Sequence, residues 1–294
     1  MINKRLINTG AAGASDTIDI DNFNLTTYDS FNPAEIGIYT GGGCTFSADG
    51  SKFYGAQEYT AGIVYQYNTP SSFQLPANGT SDTANKNLNG SYMYQCLFNN
   101  NGTKFFAWEY FSSTDRRFQG YNLSTAYNIG TASIATSNYI DRSSMSAKVS
   151  NFSQSLGSTF NSDGTRLYTH FNRTDSQRQF LIHRYDLSTA YDISGVNSAS
   201  QDSGSDNITT TETYDSGRGM WVNESETQII ISNAVGRVHQ FDMTTAGDLS
   251  TISLTKIRNF GIGNAGDFQY FPDAEVAVMA GDGSGLFYTF DYEP

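Results

Sequence analysis

Three histidines are the first residues in which acid–base or metal chemistry can be sought. His183 and His239 each lie two residues before an aromatic residue, and the same position of a related segment holds Gln119. A position that accepts glutamine is typical of a strand face and not of a catalytic base. His170 follows another apolar run and remains a candidate for the lining of a channel. No Ser-His-Asp set, histidine cluster with metal spacing or phosphate-binding glycine loop is found in the sequence beside these residues.

The two cysteines occupy matching places in the sequence. Cys44 precedes Phe46 by two residues, and Cys96 precedes Phe98 by two. We expect residues in matching places to occupy equivalent sites and not to face each other, which disfavours a disulfide. Two thiols also lack the further ligands that zinc requires. The pattern predicts two small buried thiols.

Several carboxylates are candidate metal ligands. Asp16, Asp19 and Asp21 lie close together in the sequence, and Asp282 lies in a glycine-rich run at 280–285. Calcium takes six to eight oxygen ligands, usually from a loop of the form DxDxDG, and no such loop is present in the sequence. We therefore predict no metal and no cofactor.

Exposed aromatic rings can stack on sugars, and one group of three suggests such a platform. Trp108, Tyr110 and Phe111 end an apolar run and adjoin the polar sequence SSTDRR. Neighbouring Ser and Asp side chains would supply partners for sugar hydroxyls. The alternative is that these rings pack inside the fold, as most aromatic side chains do.

Most of these residues lie in a phrase that the sequence repeats, so the repeated unit must position them. Residues 157–192 read GSTFNSDGTRLYTHFNRTDSQRQFLIHRYDLSTAYD, and 95–128, 43–68, 219–249 and 267–292 carry related copies. An apolar anchor marks each copy, and successive anchors are 52, 62, 62 and 48 residues apart: Phe46, Phe98, Phe160, Val222 and Tyr270. Repeats of this length predict an array of similar structural units.

Each unit predicts three or four strands. An Asp-Gly or Asn-Gly turn follows the first three anchors, a β-like run comes next, and a run alternating toward an aromatic residue follows. A turn of the form LSTAY then leads to a fourth, outer strand. We therefore predict an all-β protein, a β-propeller of about five blades.

The two ends of the chain predict that the ring closes on itself. The fifth copy stops before any LSTAY-like turn, whereas residues 23–27 (FNLTT) resemble residues 185–189 (YDLST). We expect residues 16–31 to form the outer strand of the last blade, which removes an open sheet edge.

Residues 1–15 form an N-terminal arm of small and polar residues, and 16–294 form the propeller domain. Such an arm buries little surface by itself. It is held either by a neighbouring chain or by its own propeller. The side chains expected to bind the partner are Ile2, Lys4, Arg5, Leu6 and Ile7.

The overall charge argues against several classes of partner. The chain has 294 residues and a net charge of −12, with only 17 Lys and Arg. A surface of this sign repels nucleic acids and anionic membranes. The first residues carry no apolar run of signal-peptide length, and no run of about 20 apolar residues predicts a membrane span. We expect a cytoplasmic protein or one released by lysis, such as a virion component.

The repeat resembles a propeller repeat common in bacterial and phage proteins of structural or surface type. The matching segments are TFNSDGTRLYTH, IHRYDLSTAYDISG, LFNNNGTKFFAW and GYNLSTAYNIGTAS. The resemblance is strong over residues 43–200 and faint over 219–292. It implies the fold more than an activity, because propellers host enzymes, lectins and scaffolds.

The resemblance and the N-terminal arm together predict a non-enzymatic phage virion protein on the tail or capsid surface. It would bind other virion proteins through the arm, in a homo-oligomer or another symmetric assembly, and its exposed face would contact host glycans. The alternatives are a free carbohydrate-binding propeller and a lactonase-like metallohydrolase.

Overall fold

The strands form a closed ring of five sheets. A computed structural model of the chain describes residues 16–33, 42–57, 62–88, 92–110, 116–141, 152–173, 179–196, 202–209, 217–282 and 286–294. Over these residues, twenty strands pair into five four-stranded antiparallel sheets. This arrangement is a five-bladed β-propeller, as the repeat predicted.

Blades I to IV each use four consecutive strands, numbered along the chain after β1 (Phe23–Phe31). Blade I contains β2 (Cys44–Phe46), β3 (Lys52–Ala56), β4 (Ile63–Asn68) and β5 (Ala84–Asn87). Blade II contains β6 (Tyr92–Phe98), β7 (Lys104–Tyr110), β8 (Arg116–Leu123) and β9 (Ala132–Asp141). Blade III contains β10 (Phe152–Phe160), β11 (Arg166–Arg173), β12 (Gln179–Asp186) and β13 (Asp202–Thr209). Blade IV contains β14 (Gly217–Val222), β15 (Gln228–Asn233), β16 (Arg237–Met243) and β17 (Ile252–Asn259).

Blade V joins the two ends of the chain. Its order is β1-β20-β19-β18, with β18 (Asn264–Phe271), β19 (Val276–Asp282) and β20 (Phe287–Tyr292). The outer strand β1 pairs antiparallel with β20, from Phe23 opposite Tyr292 to Phe31 opposite Phe287. The N-terminal strand therefore closes the ring, as predicted, and covers the edge that β20 would otherwise expose.

The N-terminal segment nevertheless enters the ring in a different register from the expected one. Residues 23–27 were aligned with the end of a third strand, but they begin the fourth strand. The segment before them repeats the end of the LSTAY turn: Asp19 caps a single 3₁₀ turn, Ile20–Asn22, that leads into β1. Asn128 caps the turn Ile129–Thr131 in the same way before β9. The alignment failed because both segments read aromatic-Asx-Leu-polar-Thr.

One buried apolar residue in each of these connections packs on the preceding blade. Ile129 joins the core of blade I, and its backbone N–H donates to Oε1 of Gln66 at 3.0 Å. Ile20 joins the core of blade IV in the same way, and its N–H donates to Oε1 of Gln240 at 3.1 Å. Leu75, Ile193 and Leu249 occupy the same place in the other three connections. We call all five the plug residues: Ile20, Leu75, Ile129, Ile193 and Leu249.

The Asp-Gly and Asn-Gly turns are shaped by an aromatic ring as well as by the backbone. Gly102 has φ +68°, and a Cβ there would lie 2.3 Å from the ring of Tyr127. That ring also packs on the anchor Phe98, with ring centroids 5.3 Å apart. Glycine is therefore required both by the left-handed conformation and by the space above it.

In blade IV the position of this glycine holds a glutamate, whose side chain binds blade III. Glu226 occupies the left-handed position, with φ +55°. Its carboxylate lies 3.0 Å from the guanidinium of Arg166 and accepts a hydrogen bond from the hydroxyl of Tyr168. In blades I and II, Lys52 and Lys104 instead donate to backbone carbonyls of the next blade. Every one of these contacts crosses a boundary between blades.

Candidate functional site

The two ends of the ring differ in how the chain connects the strands. At one end lie the turns 47–51, 99–103, 161–165 and 223–227 together with the plug residues, and we call it the turn end. The opposite end, where β3 stops at Ala56 and β7 stops at Tyr110, is called the loop end. Because the strands are antiparallel, each polar side chain near a strand terminus can be assigned to one end.

The ring axis contains a buried carboxyl group, Asp267 of blade V, which sequence reasoning missed. Its Oδ2 accepts the backbone N–H groups of Cys44 in blade I and Cys96 in blade II, each at 3.3 Å. Its Oδ1 accepts the side-chain amides of Gln269 at 3.2 Å and Gln95 at 3.5 Å. One side chain thus links three blades at the axis.

Burial decides the protonation of Asp267. The residue is fully buried, and burial raises its pKa to about 8 although the surrounding N–H donors act in the opposite direction. The available signal was positional: three residues before the anchors, blades I, III and IV have Gly43, Gly157 and Gly219, and blade V has Asp267.

The two cysteines are free and buried, in agreement with the sequence analysis. Burial raises the pKa of both thiols well above the ordinary value. Their matching places do not keep them apart, however, because near the axis equivalent positions of adjacent blades lie side by side. A Cβ on Gly43 would lie 2.3 Å from the backbone nitrogen of Cys96, so the inner strands β2 and β6 are in direct contact.

The histidines are also buried within the blades. Burial lowers the pKa of His170 to about 3, so this imidazole is neutral at physiological pH. His183 stacks on Tyr185 with ring centroids 6.0 Å apart, and His239 stacks on Phe241 at 6.4 Å. All three lie inside the strand packing, and His170 does not line an open channel.

A second buried carboxyl group lies in blade II, and sequence reasoning missed it as well. Glu109 is 1% exposed, and its Oε1 accepts a hydrogen bond from the hydroxyl of Tyr121. Burial raises the pKa of Glu109 to about 8, while the charge of Arg117 acts in the opposite direction. A glutamate inside the apolar run KFFAWEY was the available signal.

The expected glycan platform is wrong at Trp108. Its side chain is 2% exposed, and its indole N–H donates to Oγ of Ser158 in blade III at 2.9 Å. A ring packed between blades II and III presents no face to a sugar. Phe111, the third member of the expected platform, lies outside the described residues.

Tyr110 is partly exposed and lies beside an arginine. It is half-buried at the loop end, and the guanidinium of Arg116 lies 4.3 Å from its ring centroid. On the same blade, the guanidinium of Arg117 lies 4.7 Å from the ring of Tyr139.

A third pair of this kind lies near the axis. The guanidinium of Arg218, on the inner strand of blade IV, lies 5.6 Å from the ring of Tyr94, on the inner strand of blade II. Arg116 and Arg117 are consecutive in β8, so their side chains lie on opposite faces of the blade and the three pairs do not form one surface. All six residues are half-buried: Tyr94, Tyr110, Arg116, Arg117, Tyr139 and Arg218.

The segment 16–22 is bound firmly to blade IV. The carboxylate of Asp16 accepts the backbone N–H groups of Glu224 and Ser225, each at 2.7 Å. The side chain of Gln228 bonds both the N–H and the carbonyl of Ile18, at 2.9 and 2.8 Å.

Two basic side chains of β17 hold the same segment from the other side. Lys256 forms ion pairs with Asp19 and Asp21, and it lowers the pKa of Asp19. Arg258 donates to the carbonyl of Ile20 at 2.6 Å. The three carboxylates considered as metal ligands therefore serve as anchors to blade IV. Within the described ranges no group of three or more His, Cys, Asp or Glu side chains is placed to hold a metal ion.

An open groove of about 430 Å³ lies beside this segment, at the boundary of blades IV and V. It is lined mainly by polar groups that bond one another. The amides of Gln228 and Gln240, for example, both donate to the carboxylate of Asp242. Because these side chains bond one another, we interpret the groove as part of the attachment of residues 16–22 to blade IV and not as a separate binding site.

The residues expected to bind a partner, Ile2, Lys4, Arg5, Leu6 and Ile7, lie outside the described residues. No helix in the part of the chain that the structure describes is long and apolar enough to cross a membrane.

Comparison with known proteins identifies no family for the chain. No protein-family model and no curated protein matches the chain. Among solved structures, the Cps50 (Swd1) β-propeller domain of Myceliophteria thermophila is similar at 8% identity and a TM-score of 0.47, over 92% of this chain and 99% of that one.

Two bacterial structures are similar at comparable levels. A candidate 6-phosphogluconolactonase of Bacteroides fragilis shows 13% identity and a TM-score of 0.45, over 80% of this chain and 62% of that one. A protein of unknown function from Desulfotomaculum acetoxidans shows 10% identity and a TM-score of 0.38, over 82% and 62% of the two chains. Identities this low say nothing about activity or partners.

Proposed function

We propose that this chain is a non-enzymatic structural or adsorption protein of a phage particle. In this proposal residues 1–15 dock the propeller to other proteins of the particle, in a symmetric assembly. One end of the propeller contacts glycans of the host cell.

The observation that carries the proposal is the fixed point from which the arm leaves the ring. Asp16 is bound to two backbone N–H groups of blade IV, and Ile18 is bound by both polar atoms of the Gln228 side chain. The chain that precedes residue 16 therefore starts at a defined position on a rigid ring. A docking segment attached in this way loses little further conformational entropy in orienting the ring.

A scaffold role is also favoured by the hydrogen bonds that join the blades at the ring axis. Asp267 takes part in hydrogen bonds that join blades I, II and V, and His170 is buried and neutral. The carboxyl group of Asp267 is thus committed to holding the ring together.

The proposal is tested by the composition of purified particles. We expect quantitative mass spectrometry to find this chain at a constant ratio to the major capsid protein in every density-gradient fraction that contains particles. Recovery of the chain only from host cytoplasm would contradict the proposal.

A deletion of residues 1–15 tests the arm separately. Because the anchors begin at Asp16, we expect the shortened chain to keep its melting temperature and to be missing from particles assembled in its presence. The matched control is Ile134→Ala, which alters an exposed side chain and leaves the arm intact. Normal incorporation of the shortened chain would assign docking to another surface.

A further inference from the structure

We infer that Glu109 is a protonation switch at the boundary between blades I and II. The neutral carboxyl group keeps the loop end of this boundary closed, and loss of its proton favours opening. The inference goes beyond the proposed function and does not depend on it.

The side chain of Glu109 faces blade I. Phe105, Ala107 and Glu109 alternate along one face of β7, and the first two belong to the apolar core shared by blades I and II. Met93 of the same core lies opposite Glu109 on β6. Because Glu109 is the last residue but one of β7, its carboxyl group lies at the loop end of this core.

Only one oxygen of this carboxyl group is bonded. Oε1 accepts a hydrogen bond from the hydroxyl of Tyr121, whereas Oε2 is buried and has no hydrogen-bond partner in the part of the chain that the structure describes. The whole side chain is 1% exposed. An unbonded charged oxygen costs far more free energy in an apolar environment than an unbonded neutral one, so this geometry favours the protonated acid.

The surrounding charges do not remove this cost. Arg117 lies directly opposite Glu109 on β8, but it also lies opposite Asp141 on β9, so one guanidinium is shared between two carboxyl groups. Among the described strands, the titratable groups on the two facing sides of the boundary are Lys52, Tyr54 and Lys86 of blade I and Cys96, Arg117, Tyr121, Tyr139 and Asp141 of blade II.

Loss of the proton to water creates a carboxylate whose Oε2 lacks a donor. Water can supply the donor only if the blades separate at the loop end or the side chain turns outward past the end of β7. Either movement takes Glu109 away from Met93 and exposes the core behind it.

The pH range of the switch follows from linkage. Burial raises the pKa of Glu109 from 4.5 to about 8, so between these values the closed form holds a proton that the open form releases. Opening therefore becomes about tenfold more favourable for each pH unit up to about pH 8, and it levels off above that pH.

The two cysteines provide a readout with an internal control. Cys96 lies in the core between blades I and II, and Cys44 lies in the core between blades V and I. Both are fully buried, and both backbone N–H groups bond Oδ2 of Asp267. A change at the axis or in thiol ionisation affects both residues, so the ratio of their reaction rates reports on the boundary between blades I and II.

The test treats the full chain with methyl methanethiosulfonate between pH 5 and 9 and measures the labelling rate of each thiol by mass spectrometry. We expect the ratio of the Cys96 rate to the Cys44 rate to rise about tenfold per pH unit and to level off above pH 8. Glu109→Gln stays neutral and is expected to give a ratio that does not change with pH. The matched control, Glu224→Gln, removes an exposed carboxylate of blade IV and is expected to behave like the unaltered chain.

A second variant separates a switch from a merely structural role. Tyr121→Phe keeps the ring and removes the hydroxyl that stabilises the carboxylate, so we expect the ratio to level off at a higher pH. If Glu109→Gln did not fold, judged by circular dichroism, this variant would decide alone.

Three results would overturn the inference. These are a ratio that does not change with pH in the unaltered chain, an equal rise in Glu109→Gln, and an unchanged levelling-off pH in Tyr121→Phe.

Discussion

Asp267 shows how a single side chain can define the centre of a ring. Its two carboxyl oxygens receive N–H groups from three blades, at a point where five inner strands converge. A buried polar group is stable only when it is bonded, so each of these contacts is needed once the carboxyl is there.

The Asp267→Asn variant tests this role. Its amide nitrogen replaces an oxygen that accepts N–H groups, so we expect a loss of about 1–3 kcal/mol in the free energy of unfolding at pH 5. Because burial raises the pKa of Asp267 to about 8, its favourable contribution is complete below about pH 4 and is lost as the pH rises through 8. The gap between the two proteins should therefore narrow toward pH 9 in urea denaturation. Parallel pH profiles would show that Asp267 does not titrate in this range.

The turn glycines give a prediction with an internal control. Gly102→Ala places a methyl group 2.3 Å from the ring of Tyr127 in a left-handed conformation, with φ +68°. Gly79→Ala has the same backbone problem, with φ +76°, but no atom lies within 4 Å of its Cβ. We expect a loss of about 1 kcal/mol for Gly79→Ala and a clearly larger loss for Gly102→Ala. If the two variants lost equal stability in thermal denaturation, the left-handed backbone conformation alone, and not the ring of Tyr127, would explain the glycine at position 102.

At the scale of elements, the plug residues join neighbouring blades. Each packs in the core of the blade before its own and leads into the fourth strand of its own blade, and all except Ile20 follow the third strand of that blade along the chain. Ile20 performs this task for blade IV although it precedes every strand in the chain.

Replacement of Ile20 measures the strength of this connection. Ile20 is fully buried, so Ile20→Ala is expected to lower the free energy of unfolding by about 2–5 kcal/mol. Ile134→Ala removes the same atoms from a side chain that is 37% exposed and should cost well under 1 kcal/mol. Chemical denaturation of the two variants makes the comparison, and similar losses would exclude a structural role for the plug at position 20.

The sequence could predict what repeats and could not predict what occurs once. Five anchors and three glycine turns predicted the five blades, and the missing last strand predicted β1. Asp267 and Glu109 each occur in a single copy, so alignment of the repeat shows that these positions depart from the other copies but not which groups they contact. Trp108 was misjudged because the end of an apolar run does not reveal that Ser158 of the next blade lies beside it.

At the scale of the whole molecule, closure of the ring depends on its first strand. Deletion of residues 1–31 removes Ile20 and β1, so it exposes β20 and opens the boundary between blades IV and V. We expect a large drop in melting temperature and a tendency to aggregate through the open edge, whereas deletion of residues 1–15 should change neither. Calorimetry and light scattering test this. An unchanged melting temperature after the longer deletion would contradict closure by β1.

The pairing of β1 with β20 also sets the order of events during synthesis. Residue 23 leaves the ribosome long before its partner, residue 292, exists, so blades I to IV can be made while β1 has no strand to pair with. Contacts this distant along the chain form slowly, and a strand that waits for its partner is exposed to wrong pairings. The hydrogen bonds of Asp16 and Ile18 to blade IV can form one blade earlier. They hold the waiting strand in position beside the place where blade V is completed, so the last step of folding becomes a local one.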